Sequence, residues 1–384
     1  MNLELTPEQQ LIRDTARDFA LRELEPHAEE WDERHIFPRD VFNKMADLGF
    51  AGMLVPEEYG GVGADTLSYI LMLEELNRVV PAMGTVVSVH NSLACGALLM
   101  FGNDEQKAKY LPKMTSGEWL GAYALSEAHA GSDPAAMRAT AVRRGDVYVV
   151  NGTKTWITSG QSCDVAILFA VTGDTDRPSR NISAFICPKG VPGLAVGKPE
   201  NKMGIRASET TQLVFEDAEI PAECLLGYEG EGFKIAMSLL DGGRIGIAAQ
   251  AVGIAQRAFD EATAYSLQRE QFGVPISDHQ AIQFMLADMA TGLSAARLLL
   301  YRAATMRDKG QKVSKEASMA KLFASELAMK SAWAAVQIHG GYGYVREYPV
   351  ERFFRDAKIT EIYEGTSQIQ RIVIASNLLK GMRD

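Results

Sequence analysis

The amino-acid sequence predicts a multidomain α+β protein that is helical at both ends and β-rich in the middle. Apolar residues recur at helical spacing through roughly the first 115 residues and again from Gly232 onward. Between these regions, short β-branched runs alternate with turn residues. A chain of 384 residues is long enough for two or three domains. We therefore expect a helical domain over 1–116, a β domain over 117–228 and a helical domain over 229–384.

Two capping signals mark helix starts in the N-terminal region. Thr6 precedes Pro7 and is followed three residues later by Gln9, which predicts a capping box with proline at the first helical position. Asn103 and Gln106 repeat this spacing. The first residues lack the basic and then apolar character of a secretory leader, so we expect the mature chain to begin near residue 1.

The central region reads as a series of short strands. Asn151-Gly152 stands between two β-branched runs and predicts a type I′ hairpin turn, because both residue types tolerate positive φ. Further strands are predicted over 165–171, 182–187 and 212–215.

The C-terminal region reads as long helices interrupted at Gly340-Gly341. One helix is predicted from apolar residues spaced i, i+3, i+4, i+7 and i+11, with Ser277 and Gln280 expected to cap its start. The spaced residues are Ile282, Met285, Leu286, Met289 and Leu293.

Charge and cysteine usage exclude some classes of protein. The formal net charge of −10 argues against a general nucleic-acid binder, which would carry a basic stripe. No apolar run approaches the roughly 18 residues of a membrane span. The four cysteines are far apart in sequence and are interpreted as buried thiols in a reducing compartment. They are Cys95, Cys163, Cys187 and Cys224.

Several common catalytic motifs are missing from the sequence. No GxGxxG follows a predicted strand, and no P-loop, HExxH, Glu-x-x-His or Gly-x-Ser-x-Gly motif occurs. We therefore expect no metal site, and a Rossmann oxidoreductase, a P-loop enzyme and a metalloenzyme are disfavoured.

Five segments in order resemble the acyl-CoA dehydrogenase family. The segment from Asp356 to Arg371 resembles the family's signature, and the resemblance covers essentially the whole chain. The other four are 123–133, 156–158, 269–273 and 337–341. The resemblance implies an N-terminal helical domain, a central β-barrel and a C-terminal four-helix bundle, usually in a homotetramer built as a dimer of dimers.

The resemblance implies a reaction and a base. The family uses FAD to convert an acyl-CoA to the trans-2-enoyl-CoA, and the match implies that Glu364 removes the α proton while the flavin takes the β hydride. A glutamate can do this if burial raises its pKa toward 7 and the thioester carbonyl is polarised. Without the other motifs, a surface carboxylate beside a helix start would be the favoured interpretation of Glu364.

The resemblance also implies a set of FAD-binding residues. Trp156 would pack on the flavin ring and Thr158 would bond near its reactive nitrogen, whereas without the resemblance they read as a core tryptophan and a strand threonine. Arg269 suits a pyrophosphate of a neighbouring subunit's cofactor, since guanidinium offers paired donors. The full set is Tyr123, Leu125, Ser126, Ser132, Trp156, Ile157, Thr158, Arg269, Gln271, Phe272, Gln280, Gln337, Gly340, Gly341, Thr366 and Gln368.

The substrate residues implied by the resemblance favour a short acyl chain. Gln250 and Thr360 would shorten the acyl tunnel, as in the butyryl-CoA type, and Gly243 stands where another branch of the family carries its glutamate. The full set is Ser132, Asp241, Arg244, Gln250, Thr360 and Gly365. Three alternatives remain open: an intrahelical Asp241–Arg244 pair, a satisfied helix glutamine and a capping threonine. The alternative for the preferred acyl chain is a short branched-chain or broad-range enzyme.

The resemblance implies electron-transfer flavoprotein as the electron acceptor. An acyl-CoA oxidase is disfavoured because such chains generally carry a further C-terminal domain, which this sequence lacks. A non-catalytic acyl-CoA-binding or assembly protein on the same fold is the alternative from another class. We expect no nucleic-acid or membrane partner, and a location in the bacterial cytoplasm or, for a processed eukaryotic chain, the mitochondrial matrix.

Overall fold

Helices form the whole N-terminal region of the chain. A computed structural model describes residues 4–380. The helices here are α1 (Pro7–Phe19), α2 (Ala28–Arg34), α3 (Arg39–Asp47), α4 (Thr66–Val79), α5 (Pro81–Ser88), α6 (Gly96–Phe101) and α7 (Asp104–Thr115). A π-helical stretch over Val89–Cys95 joins α5 to α6. Another over Ala20–Leu24 leads from α1 through a 3₁₀ turn over Glu25–His27 to α2.

Both predicted capping boxes are confirmed. The Thr6 hydroxyl accepts from the Gln9 N–H at 3.2 Å while the Gln9 side chain accepts from the Thr6 N–H at 3.0 Å. Asn103 and Gln106 make the same reciprocal pair at 2.8 and 3.1 Å. Gln106 also donates to the carbonyls of Glu223 and Leu225. The start of α7 is therefore tied to the end of the central region.

The central region contains one sheet of eight strands. They are β1 (Gly121–Ala124), β2 (Thr140–Arg144), β3 (Val147–Thr158), β4 (Val165–Val171), β5 (Ile182–Pro188), β6 (Leu194–Val196), β7 (Thr210–Pro221) and β8 (Leu225–Leu226). Their order is β6-β7-β3-β2-β4-β5-β8, an open path on which β1 pairs with β4 in parallel. The strands β4 and β5 are buried almost throughout, which explains their continuous apolar sequences.

The predicted hairpin turn at Asn151-Gly152 is wrong. These residues lie inside β3, where the pairing with β7 shifts register between Val150 and Gly152. The Asn151 side chain braces this bulge by exchanging hydrogen bonds with Asp217 of β7. The hairpin turn is Gly145-Asp146, between β2 and β3. Asn-Gly was misleading because the backbone freedom of glycine, with φ of 140° at Gly152, suits a bulge as well as a turn.

A helical bundle forms the C-terminal region. It comprises α8 (Gly232–Gln268), α9 (Gln280–Asp308), α10 (Ser314–His339), α11 (Val350–Ala357) and α12 (Ser367–Lys380). The long α8 packs against α10, α9 and α4, and so links the bundle to the N-terminal helices. A hairpin of β9 (Glu270–Gln271) and β10 (Val274–Pro275) separates α8 from α9.

The predicted cap at Ser277 is wrong, although the helix that follows is confirmed. Ser277 lies within a 3₁₀ turn over Ile276–Asp278, and the N-cap of α9 is His279, which makes no side-chain capping bond. The chain leaves the β9–β10 hairpin through this turn, so the serine falls before the helix start. Gln280 is the first residue of α9.

Glycines on α8 allow neighbouring elements to approach its backbone closely. A methyl group at Gly253 would lie 2.5 Å from the carbonyl oxygen of Glu74 on α4, and one at Gly246 would overlap the Ser88 hydroxyl. The buried face of α8 is therefore shaped by missing side chains.

Ion pairs and a buried carboxylate join α11 to the rest of the molecule. Arg355 donates to both carboxylate oxygens of Asp32 on α2, at 3.2 and 2.7 Å. The adjacent Asp356 accepts the backbone N–H of Ile205 at 2.5 Å, and burial raises its pKa to about 6. The start of the segment leading to Glu364 is thus attached to the N-terminal and central regions.

Two helical stretches are long and apolar enough to span a membrane by length and composition alone. Pro81–Phe101 is largely buried within the protein, as expected of a core helix, while Gln280–Asp308 is mostly exposed in the single chain. The sequence prediction overlooked both because polar residues interrupt them. All four cysteines are free and buried. Within residues 4–380, no cluster of His, Cys, Asp or Glu is arranged to hold a metal ion.

We predict that Gly253→Ala destabilises the protein. Alanine favours the helix, but its methyl group would press on the Glu74 carbonyl, so we expect a net loss of about 1–3 kcal/mol. The midpoint of thermal unfolding measures this. Gly131→Ala is the control, since nothing lies within 4 Å of the added methyl group. Equal midpoints for the two variants would contradict close packing of α8 on α4.

Candidate active site

The segment between α11 and α12 forms a tight turn around Glu364. A 3₁₀-helix over Lys358–Glu361 follows α11, and Glu364 then adopts a left-handed backbone with φ of 51°. Gly365 continues with φ of 94°, which a glycine adopts readily because it has no side chain. Left-handed backbone at a non-glycine residue is uncommon and often marks a functional site.

The Glu364 carboxylate lies directly against α8 at Gly243. A side chain at position 243 would overlap Oε2 of Glu364. Oε2 is buried and has no hydrogen-bond partner among residues 4–380. Burial raises the pKa of Glu364 to about 7, against the opposing positive charges of Lys321 and Arg244. Such a carboxylate can exchange a proton near neutral pH, as a general base requires.

Two further residues of this site were missed by sequence reasoning. Nζ of Lys321 and Nε2 of Gln370 both donate to the carbonyl oxygen of Gly365, each at 2.7 Å. The sequence could have indicated Lys321, because it lies on an apolar face of α10 and a lysine buried there must find a polar contact. That face carries the buried residues Ala317, Ala320 and Ala324.

Asp241 and Arg244 form an intrahelical ion pair, which the sequence left open as the alternative to substrate binding. Nη1 of Arg244 donates to Oδ1 of Asp241 at 2.7 Å, and Ser314 of α10 donates to the other oxygen of Asp241. Nε of Arg244 is buried without a partner in the described part of the chain. The pair leaves a donor free beside Gly243.

Gln250 and Thr360 are buried polar residues with partners inside the protein. Nε2 of Gln250 donates to the Pro81 carbonyl at 3.1 Å and to the Thr85 hydroxyl at 2.7 Å, while Oε1 accepts from the Tyr363 hydroxyl. The Thr360 hydroxyl donates to the Ala357 carbonyl at 2.7 Å. The network connects α8, α5 and the turn that carries Glu364. A role of Gln250 and Thr360 in lining an acyl tunnel stays a prediction.

The segments predicted to bind flavin meet at β1, β3 and β4. Trp156 has φ of 61° and an indole that is 62% exposed, while Ile157 is buried and Thr158 is half-buried. The Tyr123 ring packs edge-on against Phe169, and its buried hydroxyl lacks a partner among the described residues. A large exposed aromatic side chain on strained backbone is suited to contact a planar ring.

A fully buried ion pair holds the loop that follows β1. Nζ of Lys154 donates to Oε1 of Glu127 at 2.8 Å and to the carbonyl of Leu125 at 3.0 Å. Glu127 also accepts the N–H groups of Arg138 and Ala139. The ends of the loop are therefore fixed, and Leu125 is buried, Ser126 half-buried and Ser132 exposed.

A second cluster of predicted residues lines a cleft of about 720 Å³. Its lining includes Arg269, Gln271, Gly340 and Gly341. The Tyr265 and His339 rings stack at 4.1 Å between centroids, and the Arg269 guanidinium lies over Tyr342. The cleft combines stacked rings, a guanidinium and open glycine backbone. It suits a ligand with an aromatic group and an anionic group.

The other predicted cofactor residues are less enclosed. Phe272 is 96% exposed with φ of 57°, beside Gln271 at the β9–β10 hairpin. Gln280, Gln337 and Gln368 are exposed and Thr366 is half-buried. None of these five lines the cleft. An exposed side chain leaves room for contact with another molecule, and cofactor binding by these residues stays a prediction.

Comparison with known proteins identifies relatives along the chain. Three models of acyl-CoA dehydrogenase domains match: the N-terminal domain over 6–118, the middle domain over 122–218 and the C-terminal domain over 230–379. The mitochondrial short-chain specific acyl-CoA dehydrogenase of Rattus norvegicus is 50% identical over 382 residues, covering 100% of this chain and 92% of the relative.

Two solved structures are close in fold. Butyryl-CoA dehydrogenase from Megasphaera elsdenii has a TM-score of 0.97 at 45% identity, covering 99% of this chain and 100% of that chain. A chain in a structure of the electron transferring flavoprotein of Acidaminococcus fermentans has a TM-score of 0.97 at 52% identity, with the same coverage. The division of this chain at 117 and 229 stays a prediction.

The raised pKa of Glu364 predicts a pH-dependent stability difference. The folded state binds the proton more tightly than the unfolded state, so wild type loses stability relative to Glu364→Gln as pH rises from about 4.5 to about 7. Glu364→Gln should therefore unfold at a higher temperature than wild type at about pH 8, and the gap should shrink at about pH 5. The exposed Glu216→Gln is the control. A gap independent of pH would contradict the raised pKa.

Proposed function

The chain belongs to the acyl-CoA dehydrogenase family and is an FAD-dependent oxidoreductase, and from that premise we propose that it oxidises a short-chain acyl-CoA to the trans-2-enoyl-CoA with Glu364 as its base. The observation that carries this proposal is the Oε2 atom of Glu364, which is buried, has no hydrogen-bond partner among residues 4–380 and lies against the backbone of Gly243. The first feature leaves a proton acceptor without a competing hydrogen bond, and the second lets that acceptor lie directly against α8.

The base acts on a proton that is only weakly acidic. A pKa near 7 gives Glu364 both a useful ionised fraction and enough basicity to accept the α proton. We propose that the Glu364 backbone N–H donates to the thioester carbonyl oxygen. This contact stabilises the negative charge that develops as the α proton leaves. The left-handed turn fixes the carboxylate and this N–H relative to each other.

The residues of the β region fit a flavin. We propose that the exposed Trp156 indole offers a flat surface to the flavin and that the Tyr123 and Thr158 hydroxyls make polar contacts with it. We propose that the buried Lys154–Glu127 pair holds Leu125 and Ser126 for contact with the flavin's polar edge. These residues would hold an FAD, which would supply the acceptor for the hydride of the substrate's β carbon.

The stacked cleft supports a cofactor site shared between subunits. Its rings suit an adenine and Arg269 suits a pyrophosphate, whereas Trp156 lies on a different part of the fold, in the sheet. We propose that the cleft receives the adenosine-diphosphate portion of a neighbouring subunit's FAD in a homotetramer. Gln271, Phe272, Gln280, Gln337, Thr366 and Gln368 are proposed to complete this contact. The exposed residues around the cleft would then be covered by the neighbouring subunit in the tetramer.

The interior network supports a short acyl chain. Gln250 fills buried space between α8 and α5 and is held there by Pro81, Thr85 and Tyr363. We propose that Gln250 and Thr360 close the far end of the acyl tunnel. The relatives named for short-chain and butyryl-CoA substrates support this specificity. Asp241, Arg244, Ser132 and Gly365 are proposed to contact the CoA portion and the thioester.

We propose that the electrons pass to an electron-transfer flavoprotein. The 52% identical chain belongs to a structure of such a flavoprotein from Acidaminococcus fermentans. Location in the bacterial cytoplasm or the mitochondrial matrix stays a prediction.

Glu364→Gln tests the assignment of the base. The amide preserves size but cannot accept the proton, so flavin reduction by butyryl-CoA should fall by at least about 10²–10⁴-fold while FAD and acyl-CoA still bind. Anaerobic stopped-flow bleaching of the flavin measures it. Glu361→Gln, in the same segment, is the control and should keep near wild-type bleaching. Near-normal bleaching by Glu364→Gln would show that another residue is the base.

Moving the carboxylate extends this test. Position 243 lies against the Glu364 carboxylate, so the double variant Glu364→Gly with Gly243→Glu places a glutamate at the same point from the opposite side. Part of the bleaching rate lost in Glu364→Gly should return. If the double variant still binds FAD and butyryl-CoA but recovers no bleaching, then a carboxylate at position 243 does not reach the same α carbon as Glu364.

Shortening the polar side chains at the proposed tunnel end tests chain-length specificity. In Gln250→Gly with Thr360→Gly, the ratio of octanoyl-CoA to butyryl-CoA turnover should rise by about tenfold or more, since each added methylene gains about 1–3 kcal/mol of transition-state binding. Gln256→Gly is the control for glycine in α8, because Gln256 bonds Asp260 and Arg297 instead. An unchanged ratio in the double variant would show that these side chains do not line the tunnel.

A further inference from the structure

Lys321 is a fully buried lysine whose hydrogen bond goes to a backbone carbonyl. Its side chain is 0% exposed, and Nζ donates to Gly365 O at 2.7 Å. Among residues 4–380, no carboxylate forms an ion pair with it, unlike the buried Lys154, which pairs with Glu127. An ammonium group without an ion-pair partner is costly to bury, so its position beside Glu364 calls for a physical explanation.

The carbonyl that Lys321 contacts belongs to the left-handed turn. Glu364 and Gly365 have φ of 51° and 94°, and such backbone persists only where surrounding contacts hold it. Gln370 supplies the second donor to the Gly365 carbonyl at 2.7 Å and also reaches the Glu364 carbonyl at 3.2 Å. Two donors from two helices, α10 and α12, therefore hold the peptide next to the Glu364 carboxylate.

The charge of Lys321 acts on the same carboxylate. Burial raises the pKa of Glu364, and Lys321 is the first of two cations that lower it, Arg244 being the other. Arg244 is already paired with Asp241, whereas Lys321 has no such carboxylate. Burial in turn lowers the pKa of Lys321 to about 8 with a contribution from Arg244, while Glu364 and Glu361 oppose that change. These are the charged groups that face Lys321.

We propose that Lys321 is a positioning residue that holds the left-handed Glu364–Gly365 turn through the Gly365 carbonyl and whose charge favours the ionised form of the Glu364 carboxylate. The inference rests on the proposed role of Glu364 as the base. The hydrogen bond and the charge are separable functions of one side chain, and different substitutions remove them separately.

Three variants separate the two effects. Lys321→Met removes the donor and the charge, Lys321→Gln keeps an amide donor without the charge, and Gln370→Met removes the other donor without changing charge. The measurement is anaerobic flavin bleaching by butyryl-CoA from about pH 5.5 to 9. Both Lys321 variants should shift the acid limb of the rate profile upward by about one pH unit, since loss of a nearby positive charge raises the pKa of Glu364.

The plateau rate reports on the hydrogen bond. Lys321→Met and Gln370→Met should lower it by at least about tenfold, because small misplacements of a base are costly, while Lys321→Gln should retain more of it. Gln370→Met should leave the acid limb where it is in wild type. A purely structural role of Lys321 would lower rates without moving the limb. If Lys321→Met does not fold, Lys321→Gln tests the charge, because it keeps a donor for the Gly365 carbonyl.

A spectroscopic titration provides a readout independent of turnover. The infrared band of the protonated Glu364 carboxyl, identified by its loss in Glu364→Gln, should disappear at higher pH in Lys321→Gln than in wild type. An unmoved band and an unmoved acid limb would overturn the inference even if Glu364→Gln is inactive. Full bleaching by Glu364→Gln would instead overturn the proposed function, which distinguishes the two failures.

Discussion

The contact between the Glu364 carboxylate and the bare backbone of α8 at Gly243 is the constraint on which the rest of the site depends. Any side chain at 243 would occupy the volume of Oε2. Gly246 and Gly253 extend the same requirement along the helix toward α5 and α4. The helix gives up the greater stability of alanine at these positions, by roughly 1 kcal/mol each, so that other groups can approach its backbone. The missing side chains therefore make room for the Glu364 carboxylate and for the neighbouring helices.

Burying a carboxylate is unfavourable unless other groups compensate, and the structure shows where the compensation comes from. Lys321 and Gln370 hold the peptide after Glu364, and Lys321 and Arg244 supply positive charge. Further back, Arg355 and Asp356 anchor the segment to Asp32 and Ile205. The turn is thus fixed from the bundle, the N-terminal helices and the central region together. A group held this firmly can be ionisable near neutral pH without moving to solvent.

Local signals in the sequence were reliable where the physics is local. The capping boxes at Thr6 and Asn103 formed as predicted because donor and acceptor lie three residues apart. The signal at Asn151-Gly152 failed because it describes a permitted backbone and not its use. The cap at Ser277 failed because the chain makes a 3₁₀ turn over Ile276–Asp278 before α9 begins. Whether Asn-Gly makes a turn or a bulge depends on the strand that pairs with it, here β7, whose Asp217 braces Asn151.

The sequence by itself determined the helical–β–helical order, the family and the identity of Glu364 as the residue to examine, since periodicity and ordered motifs are properties of the chain. Only the tertiary structure decided that Gly243 faces Glu364 and that Lys321 and Gln370 share the Gly365 carbonyl. Lys321 and Gly365 are 44 positions apart in the sequence, and Gly243 and Glu364 are 121 positions apart. Burial, and with it the raised pKa of Glu364, exists only once those distant segments pack together.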